Sequence, residues 1–190
     1  PGRVGQGQGV GLGHMQQTSG DGLCAGSSPS GLPPHLPQLL RGQGDGAGRG
    51  IIGALNYLAS EEVNSIYFLP CNLGGDGRET HPYVAPDDLL HMDVSRLRQW
   101  EIVFAHAERL GVALHVVLNE TEAGNENLHD DGTLGPERRL FYRELVARFA
   151  HHNAVFWNIG EENDYGPDRQ RAFAGFIRDL DVYDHPITVH

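Results

Sequence analysis

The sequence contains no long apolar run and no start resembling a signal peptide. None of its apolar stretches approaches the about 20 consecutive residues that a membrane-spanning helix needs. Residues 1–5 lack the basic-then-apolar order of a signal peptide. The sequence therefore predicts no membrane anchoring and leaves the compartment open, with secretion or a periplasmic location as the alternatives for a longer form of the protein.

Basic clusters and cysteines are also scarce. The formal net charge is -11, with 14 Lys and Arg against 25 Asp and Glu. Such a chain repels phosphate groups, which argues against nucleic acids and anionic membranes as partners and leaves neutral carbohydrate polymers open. The two cysteines, Cys24 and Cys71, are too few for a disulfide framework and do not indicate a redox compartment.

The composition changes near residue 50. Residues 1–50 hold more than half of the 26 glycines and no periodic apolar pattern. We interpret them as a Gly/Pro-rich segment that is either disordered or non-native, the product of a shifted reading frame. Their glycine spacing does not indicate a phosphate loop, because no strand precedes it and no helix follows. Residues 51–190 form the predicted folded domain.

From residue 51 onward, helices and strands alternate. The patterns predict strands at 65–69, 112–118, 154–159 and 187–190, and helices at 51–58, 94–110, 137–150 and 168–180. This alternation favours a parallel sheet with right-handed crossovers. Long polar loops follow the strands and short loops follow the helices, as in a TIM barrel, whose active site lies in the loops after the strands. We predict an α/β fold, a partial (β/α)8 TIM barrel, with a doubly wound open sheet as the alternative.

Side-chain alternation along the strands separates an apolar face from a polar face. The polar face carries these residues toward the carboxyl ends of the strands: His115, Asn119, Asn158, Glu162 and His190. Glu161 and Glu162 directly follow a buried strand, and partial desolvation of a carboxyl group at a barrel rim suits it to act as a general acid. The alternative role for this pair is to cap the next helix.

Four further sites have weaker signals. Asn72 follows the first strand and could contact substrate or, with Asp76 and Glu79, hold Ca²⁺, unless the loop is simply flexible. Two aromatic residues in the loops after strands, Tyr83 and Tyr165, are candidates for stacking on a sugar ring. The pair His151-His152 lacks a third ligand at a known spacing. We therefore predict no metal and no cofactor.

The stretch Trp157-Asn158-Ile159-Gly160-Glu161-Glu162-Asn163 resembles the Ile-Gly-Asn-Glu-Pro signature of retaining glycoside hydrolases of the large TIM-barrel clan. That resemblance implies that Glu162 is the acid/base after the fourth strand and that Glu161 takes the position of the sugar-binding Asn. A broader resemblance over about residues 50–190 is to bacterial barrel proteins provisionally described as glycoside hydrolases, which often carry a β-sandwich and a collagen-binding domain. Its matching stretches are 53–58, 92–97, 118–122, 135–140 and 157–163.

The resemblance implies that the visible strands are about strands 2–5 of the barrel. The nucleophile of such enzymes follows the seventh strand, which would lie beyond His190, so we expect this chain to supply the acid/base only and to lack turnover by itself. The expected partner is a poly- or oligosaccharide, bound with the help of Glu161, His115, Asn158, Asn119, His190 and Asn72. The alternatives are a non-catalytic carbohydrate-binding or degenerate barrel and, disfavoured by the lack of a His-x-His motif, a metal-dependent hydrolase.

Overall fold

The computed structural model describes residues 50–75 and 80–190. The interpretation of residues 1–50, apart from Gly50, therefore lies outside the described residues, as do Asp76 and Glu79. The described elements follow one another as α1 (Ile51–Ser60), β1 (Ser65–Phe68), α2 (Val94–Arg109), β2 (Ala113–Val117), α3 (Ala123–Glu126), a 3-10 turn (Asp130–Gly132), α4 (Pro136–Phe149), β3 (Val155–Asn158), α5 (Pro167–Leu180) and β4 (Ile187–Thr188).

The boundaries of the long helices have local causes. Asp93 caps α2, because its carboxylate accepts hydrogen bonds from the backbone N–H of Ser95 and Arg96. Gly111 follows the end of α2 at φ 72°, a left-handed conformation that glycine adopts at little cost. Helices α4 and α5 both begin with a proline, whose missing N–H is no loss in a first turn.

The four strands form one parallel sheet in the order β1-β2-β3-β4. The register aligns Phe68 with Val116, Val116 with Trp157, and Trp157 with Ile187. Each strand thus lies beside the next one in the chain, and the order does not reverse anywhere in the described part. This arrangement confirms the predicted strand-helix alternation and is the one expected of consecutive βα units in a barrel. A doubly wound sheet would need a reversal of strand order.

The helices cover one face of the sheet, which is apolar. Its strand residues belong to the same buried core as the inward faces of the helices: Ile66, Phe68, Leu114, Val116, Val155 and Trp157. Trp157 is 0% exposed and Trp100 packs on the core against Phe68 at a ring separation of 5.3 Å, so both are packing residues. The opposite face stays partly open, with Phe156 36% exposed.

Membrane insertion has no support in the described residues. In residues 50–75 and 80–190, no helix is both long enough and apolar enough to cross a bilayer.

Candidate active site

Aromatic and polar side chains meet on the uncovered face of the sheet near the carboxyl ends of β1, β2 and β3. The rings of Tyr67 and His115 pack edge to face at 4.8 Å, and Phe156 lies 6.2 Å beyond His115. Asn158 Nδ2 lies 3.5 Å from the Tyr67 hydroxyl. Because the strands are parallel and in sequential order, their alternate residues bring these four side chains into one cluster, which we call the inner-face cluster.

Glu161 is the carboxylate that joins the inner-face cluster most closely. Burial raises the pKa of Tyr67 above its ordinary value, and the charges of Glu161 and Glu162 raise it further. The Tyr67 phenol therefore stays protonated at neutral pH and lies close to the Glu161 carboxylate. The two carboxylates and the phenol thus share one small region at the carboxyl edge of the sheet.

Glu162 lies beside this region but in a different environment. Strand β3 ends at Asn158, and Glu162 has φ 46°, a left-handed conformation that is uncommon for a residue other than glycine. The alternation of side chains between the two faces of the sheet therefore stops before Glu162. The side chain of Glu162 is exposed, whereas that of Glu161 is half-buried. The backbone N–H of Glu161 also donates to the Asn119 carbonyl at 2.9 Å, which fixes the turn to the end of β2.

Asn163, which stands where the resembled signature has proline, stabilises the same turn. Its Nδ2 donates to the Gly160 carbonyl at 3.0 Å, and its Oδ1 accepts from the Tyr165 N–H at 3.1 Å. A Cβ on Gly160 would come within 2.9 Å of the Asn163 side chain, so the turn requires glycine there. Where the signature has a rigid proline, this chain therefore has an asparagine that stabilises the turn through hydrogen bonds.

The two histidines predicted for the site lie at the same edge. Burial lowers the pKa of His115, and the nearby His190 lowers it further, so His115 is neutral at pH 7. His115 Nε2 is buried and has no hydrogen-bond partner within the described part of the chain. The exposed His190 is held through its backbone N–H, which donates to the Gly160 carbonyl at 3.2 Å. His115 thus offers an unused nitrogen beside the carboxylates.

Asn119 lies away from the inner-face cluster. Strand β2 ends at Val117, so the alternation of side chains between the two faces of the sheet does not extend to Asn119. Asn119 is 1% exposed, and its Oδ1 accepts a hydrogen bond of 2.7 Å from Arg138 Nη1. Its Nδ2 lies 3.4 Å from the Asn125 carbonyl. Its amide is therefore engaged inside the protein.

Sequence inspection missed Arg138, the buried cation that holds this region. Its guanidinium donates to the Glu126 and Thr133 carbonyls at 2.8 and 3.0 Å, besides Asn119, and lies 4.6 Å from the centre of the Phe173 ring. These bonds tie the loop after β2 to α4 and α5. The signal in the sequence is weak, because an arginine in a charged helix is usually exposed.

Asn72 is buried at the start of the loop after β1, and its Oδ1 has no hydrogen-bond partner among the described residues. The loop packs tightly against the loop after β2, since a Cβ on Gly75 would overlap the Glu120 carboxylate. Asn125 Nδ2 links the two loops by donating to the Cys71 and Leu73 carbonyls at 3.2 and 3.0 Å. Asp76 and Glu79, which the Ca²⁺ hypothesis also needs, lie outside the described residues.

The two tyrosines proposed as sugar platforms are core residues. Tyr83 is 0% exposed, and its hydroxyl hydrogen-bonds His129 Nε2. Tyr165 is 4% exposed and donates to the Glu126 carbonyl at 2.8 Å. The prediction of exposed stacking rings is therefore wrong, because these top-side loops fold back onto α4 and bury their aromatic residues.

Comparisons with known proteins bear on the fold. No protein-family model matches this chain, and no curated protein matches it. Several solved structures are similar, and three of them are described below. The first, from Bacteroides vulgatus ATCC 8482 and provisionally described as a glycoside hydrolase, has a TM-score of 0.58 and 15% identity over 72% of this chain and 30% of its own. The second, described as a family 5 glycoside hydrolase from the same organism, has a TM-score of 0.56 and 17% identity over 74% and 31%.

The third structure, described only as a glycoside hydrolase, has a TM-score of 0.55 and 15% identity over 74% of this chain and 32% of its own. This chain has the fold of part of a glycoside hydrolase barrel. The predicted α/β class and partial TIM barrel are thereby confirmed, and the inner-face cluster lies at the end of the strands where such barrels carry their sites. The chain spans about a third of the length of these proteins.

Proposed function

We propose that this chain contributes the acid/base half of a glycoside hydrolase site, with an oligo- or polysaccharide as substrate and Glu162 as the acid/base. The observation that supports this proposal best is the convergence of Glu161, Glu162 and Tyr67 at the carboxyl edge of the sheet. Glycosidic cleavage needs one carboxylic acid that protonates the leaving oxygen and a second carboxylate across the scissile bond. This chain supplies the first of these, and the second belongs to a later barrel strand.

The two adjacent glutamates have different surroundings that suit different roles. Glu162 is exposed, whereas the sequence led us to expect a partly desolvated carboxyl group there; from this position it can reach the leaving-group oxygen of a bound glycan and exchange protons with water. The half-buried Glu161, close to Tyr67, is better placed to orient a sugar hydroxyl. The left-handed backbone of Glu162 is also consistent with a site residue, since sparsely populated conformations concentrate at active sites.

The remaining candidate residues differ in whether their polar atoms already have hydrogen-bond partners within the described part of the chain. His115 Nε2 and Asn72 Oδ1 are buried and have no hydrogen-bond partner among the described residues, so we keep both as candidate contacts of a sugar hydroxyl. His190 is exposed at the same edge. The amides of Asn158 and Asn119 are engaged with protein groups, so we assign them to positioning the site.

A non-catalytic carbohydrate-binding barrel is the second candidate, favoured by one observation. Glu161 stands where the resembled signature has a sugar-binding Asn, and it adds a charge beside the acid/base position. Binding without turnover would be the outcome expected if that charge disables proton transfer.

Carbohydrate binding is the first test, made with the 190-residue chain on an array of neutral oligo- and polysaccharides. We expect a bound glycan whose affinity falls about tenfold or more in Glu161→Gln and in Tyr67→Phe, because each removes a hydrogen-bonding group of the proposed site. Glu61→Gln, which removes an exposed carboxylate after α1, is the matched control and should bind as the wild type does. Absence of binding to every glycan, or binding unaffected by both site variants, would contradict the proposal.

Turnover then tests the acid/base assignment, in whichever form of the protein hydrolyses the bound glycan. We expect Glu162→Gln to lower kcat by about 10²–10⁴ on natural glycans. The loss should be much smaller on aryl glycosides with good leaving groups, which need no protonation, and azide should partly restore the rate. If Glu161→Gln shows this pattern and Glu162→Gln does not, Glu161 is the acid/base. If wild-type protein binds but never turns over, the carbohydrate-binding alternative holds.

A further inference from the structure

A second group of ionisable side chains lies at the opposite, amino-terminal edge of the sheet. His151 and His152 form the turn between α4 and β3, and Glu101 faces them from α2. Glu101 Oε1 lies 3.2 Å from His151 Nε2 and 3.4 Å from His152 Nε2. The fold therefore supplies the third ligand that the His151-His152 pair lacks in the sequence.

His152 carries the strongest indication that this group binds a ligand. Its side chain is 2% exposed, and its Nδ1 lies 2.9 Å from Glu108 Oε2. A carboxylate only accepts hydrogen bonds, so Nδ1 carries the proton and a neutral ring has a bare lone pair on Nε2. That Nε2 is buried and has no hydrogen-bond partner in the described residues, since its approach to Glu101 lacks hydrogen-bond geometry.

Three lone pairs meet at this point when both rings are in their neutral form. Nε2 of His152, Oε1 of Glu101 and Nε2 of His151 then all face a common centre, where a metal cation would be stabilised. We propose that Glu101, His151 and His152 bind a Zn²⁺-like transition-metal ion. Two imidazole nitrogens and one carboxylate oxygen suit Zn²⁺ rather than Ca²⁺ or Mg²⁺, which take oxygen ligands.

Two of the three separations between the donor atoms fit tetrahedral coordination. Bonds of Zn²⁺ to His nitrogen and carboxylate oxygen place two ligand atoms of a tetrahedron about 3.3 Å apart. The two measured separations, 3.2 and 3.4 Å, bracket that value, and all three donor atoms lie within 4.8 Å of one another. Glu101 and His151 are partly exposed, at 38% and 51% of their side chains, which leaves water access to the fourth position.

The surroundings of His152 match those of metal-bound histidines. In most such sites the ring nitrogen that does not bind the metal donates to a carboxylate, which fixes the ring and its tautomer. Glu108 fills that role here, and its other oxygen, Oε1, accepts from Asn153 Nδ2 at 2.6 Å. The ring of His152 also packs edge to face on Phe104 at 5.9 Å. Both contacts hold the Nε2 lone pair toward Glu101 before any ion arrives.

The position of the site indicates a stabilising role. The turn that contains His151 and His152 leads into the amino end of β3, whereas the candidate active site follows its carboxyl end. An ion there would cross-link α2 to the turn after α4. Since binding to the folded state alone raises stability, we expect the melting temperature to rise with Zn²⁺.

Zinc titration of the metal-stripped 190-residue chain tests this proposal, followed by competition with a chromogenic chelator. We expect one Zn²⁺ per chain, an affinity at least about tenfold lower in Glu101→Gln and in His151→Asn, and about 10–100-fold lower in Glu108→Gln. Co²⁺ in place of Zn²⁺ should give the intense visible absorption of a tetrahedral site. Glu101 and His151 are partly exposed, so these variants should fold.

Controls separate this site from other histidines. His91→Asn removes an exposed histidine that contacts only Asp88 among the acidic residues of the described part, and it should leave zinc affinity unchanged. The double variant His14→Asn/His35→Asn removes two histidines of the segment before residue 50 and should also leave the zinc affinity unchanged. Absence of zinc binding, or loss of binding only in the His14/His35 variant, would overturn the proposal. So would an unchanged Tm with Zn²⁺.

Discussion

The two faces of the sheet follow the same alternation but lie in different environments. On the helix-covered face, Trp157 is 0% exposed and donates from Nε1 to Asp181 at 2.9 Å. On the other face its neighbour Phe156 is 36% exposed and touches only the ring of His115 among the aromatic residues of the described part. One face therefore stabilises the fold, while the other leaves aromatic and polar groups uncovered in the described part of the chain.

The same contrast holds for two histidines. His129 stacks on Phe141 within the helix layer at 4.7 Å, and burial lowers its pKa to about 3. His115 on the uncovered face has its pKa lowered by burial and by His190. The first ring is a packing element that must stay neutral, whereas the second keeps a nitrogen available at the candidate site.

The largest effect is expected on the covered face. Trp157→Ala should lower the free energy of unfolding by about 3–5 kcal/mol, because it leaves a cavity in the core. Urea unfolding of the wild type and the variant measures the difference. Trp157→Phe keeps most of the apolar volume and should cost distinctly less, because it loses one hydrogen bond to Asp181, whose carboxylate keeps its bonds to Tyr183 and His185. Equal losses in both variants would show that the hydrogen bond, and not packing, dominates this face.

An intermediate effect is expected from pH. The folded-state pKa of His129, about 3, lies below its ordinary value of 6.5. The unfolded chain therefore takes up this proton first, and stability that is fully present above pH 6.5 is lost as pH falls toward 3. At pH 5 the loss amounts to about 2 kcal/mol.

The measurement is urea unfolding at pH 7 and pH 5 for the wild type and for His129→Gln. The variant keeps a polar group near the Tyr83 hydroxyl but cannot titrate, so its stability should fall less over this interval. Other histidines with lowered pKa values, such as His81 and His115, are present in both proteins and cancel. Identical pH dependence would mean that His129 is not the neutral buried ring described above.

The smallest effect is expected on the uncovered face. Phe156→Ala should cost about 1–2 kcal/mol in the same urea assay, because the ring is 36% exposed and truncation therefore removes less buried apolar area than at Trp157. A loss of stability approaching that of Trp157→Ala would contradict the expected difference between the two faces, since it would show that the face carrying Phe156 is covered in solution. Repeating the assay at several protein concentrations would then show whether the face is covered by self-association, which depends on concentration, or by another part of the same chain, which does not.

Sequence patterns were most informative where a local rule acts alone. Apolar spacing located the long helices and the strands to within a few residues, and in the structure Asp93, Gly111 and Pro136 lie at helix ends, where their local chemistry favours a boundary. Tyr67 could also have been found, because the alternation used for the later strands places it opposite Ile66 and Phe68 on β1. The short helix α3 was not predicted, since its Gly and Asn residues are typical of loops.

Residues whose roles depend on distant partners escaped prediction. Tyr83 and Tyr165 were expected at the surface and are buried, because the loops that carry them pack on α4. Arg138 serves the loop after β2 only through contacts made across the fold. In each case the local sequence is compatible with either an exposed or a buried side chain, and long-range packing selects one.

By itself the sequence determined the α/β class, the order of the elements and the pair Glu161-Glu162 after a buried strand, because periodicity and turn residues act over a few neighbours. Only the tertiary structure decided that Glu161 is the carboxylate close to Tyr67, that Asn119 is engaged by Arg138, and that Glu101 completes a triad with His151 and His152. The physical reason is that hydrogen bonds and ligand sets act over about 3 Å in space, whatever the distance along the chain.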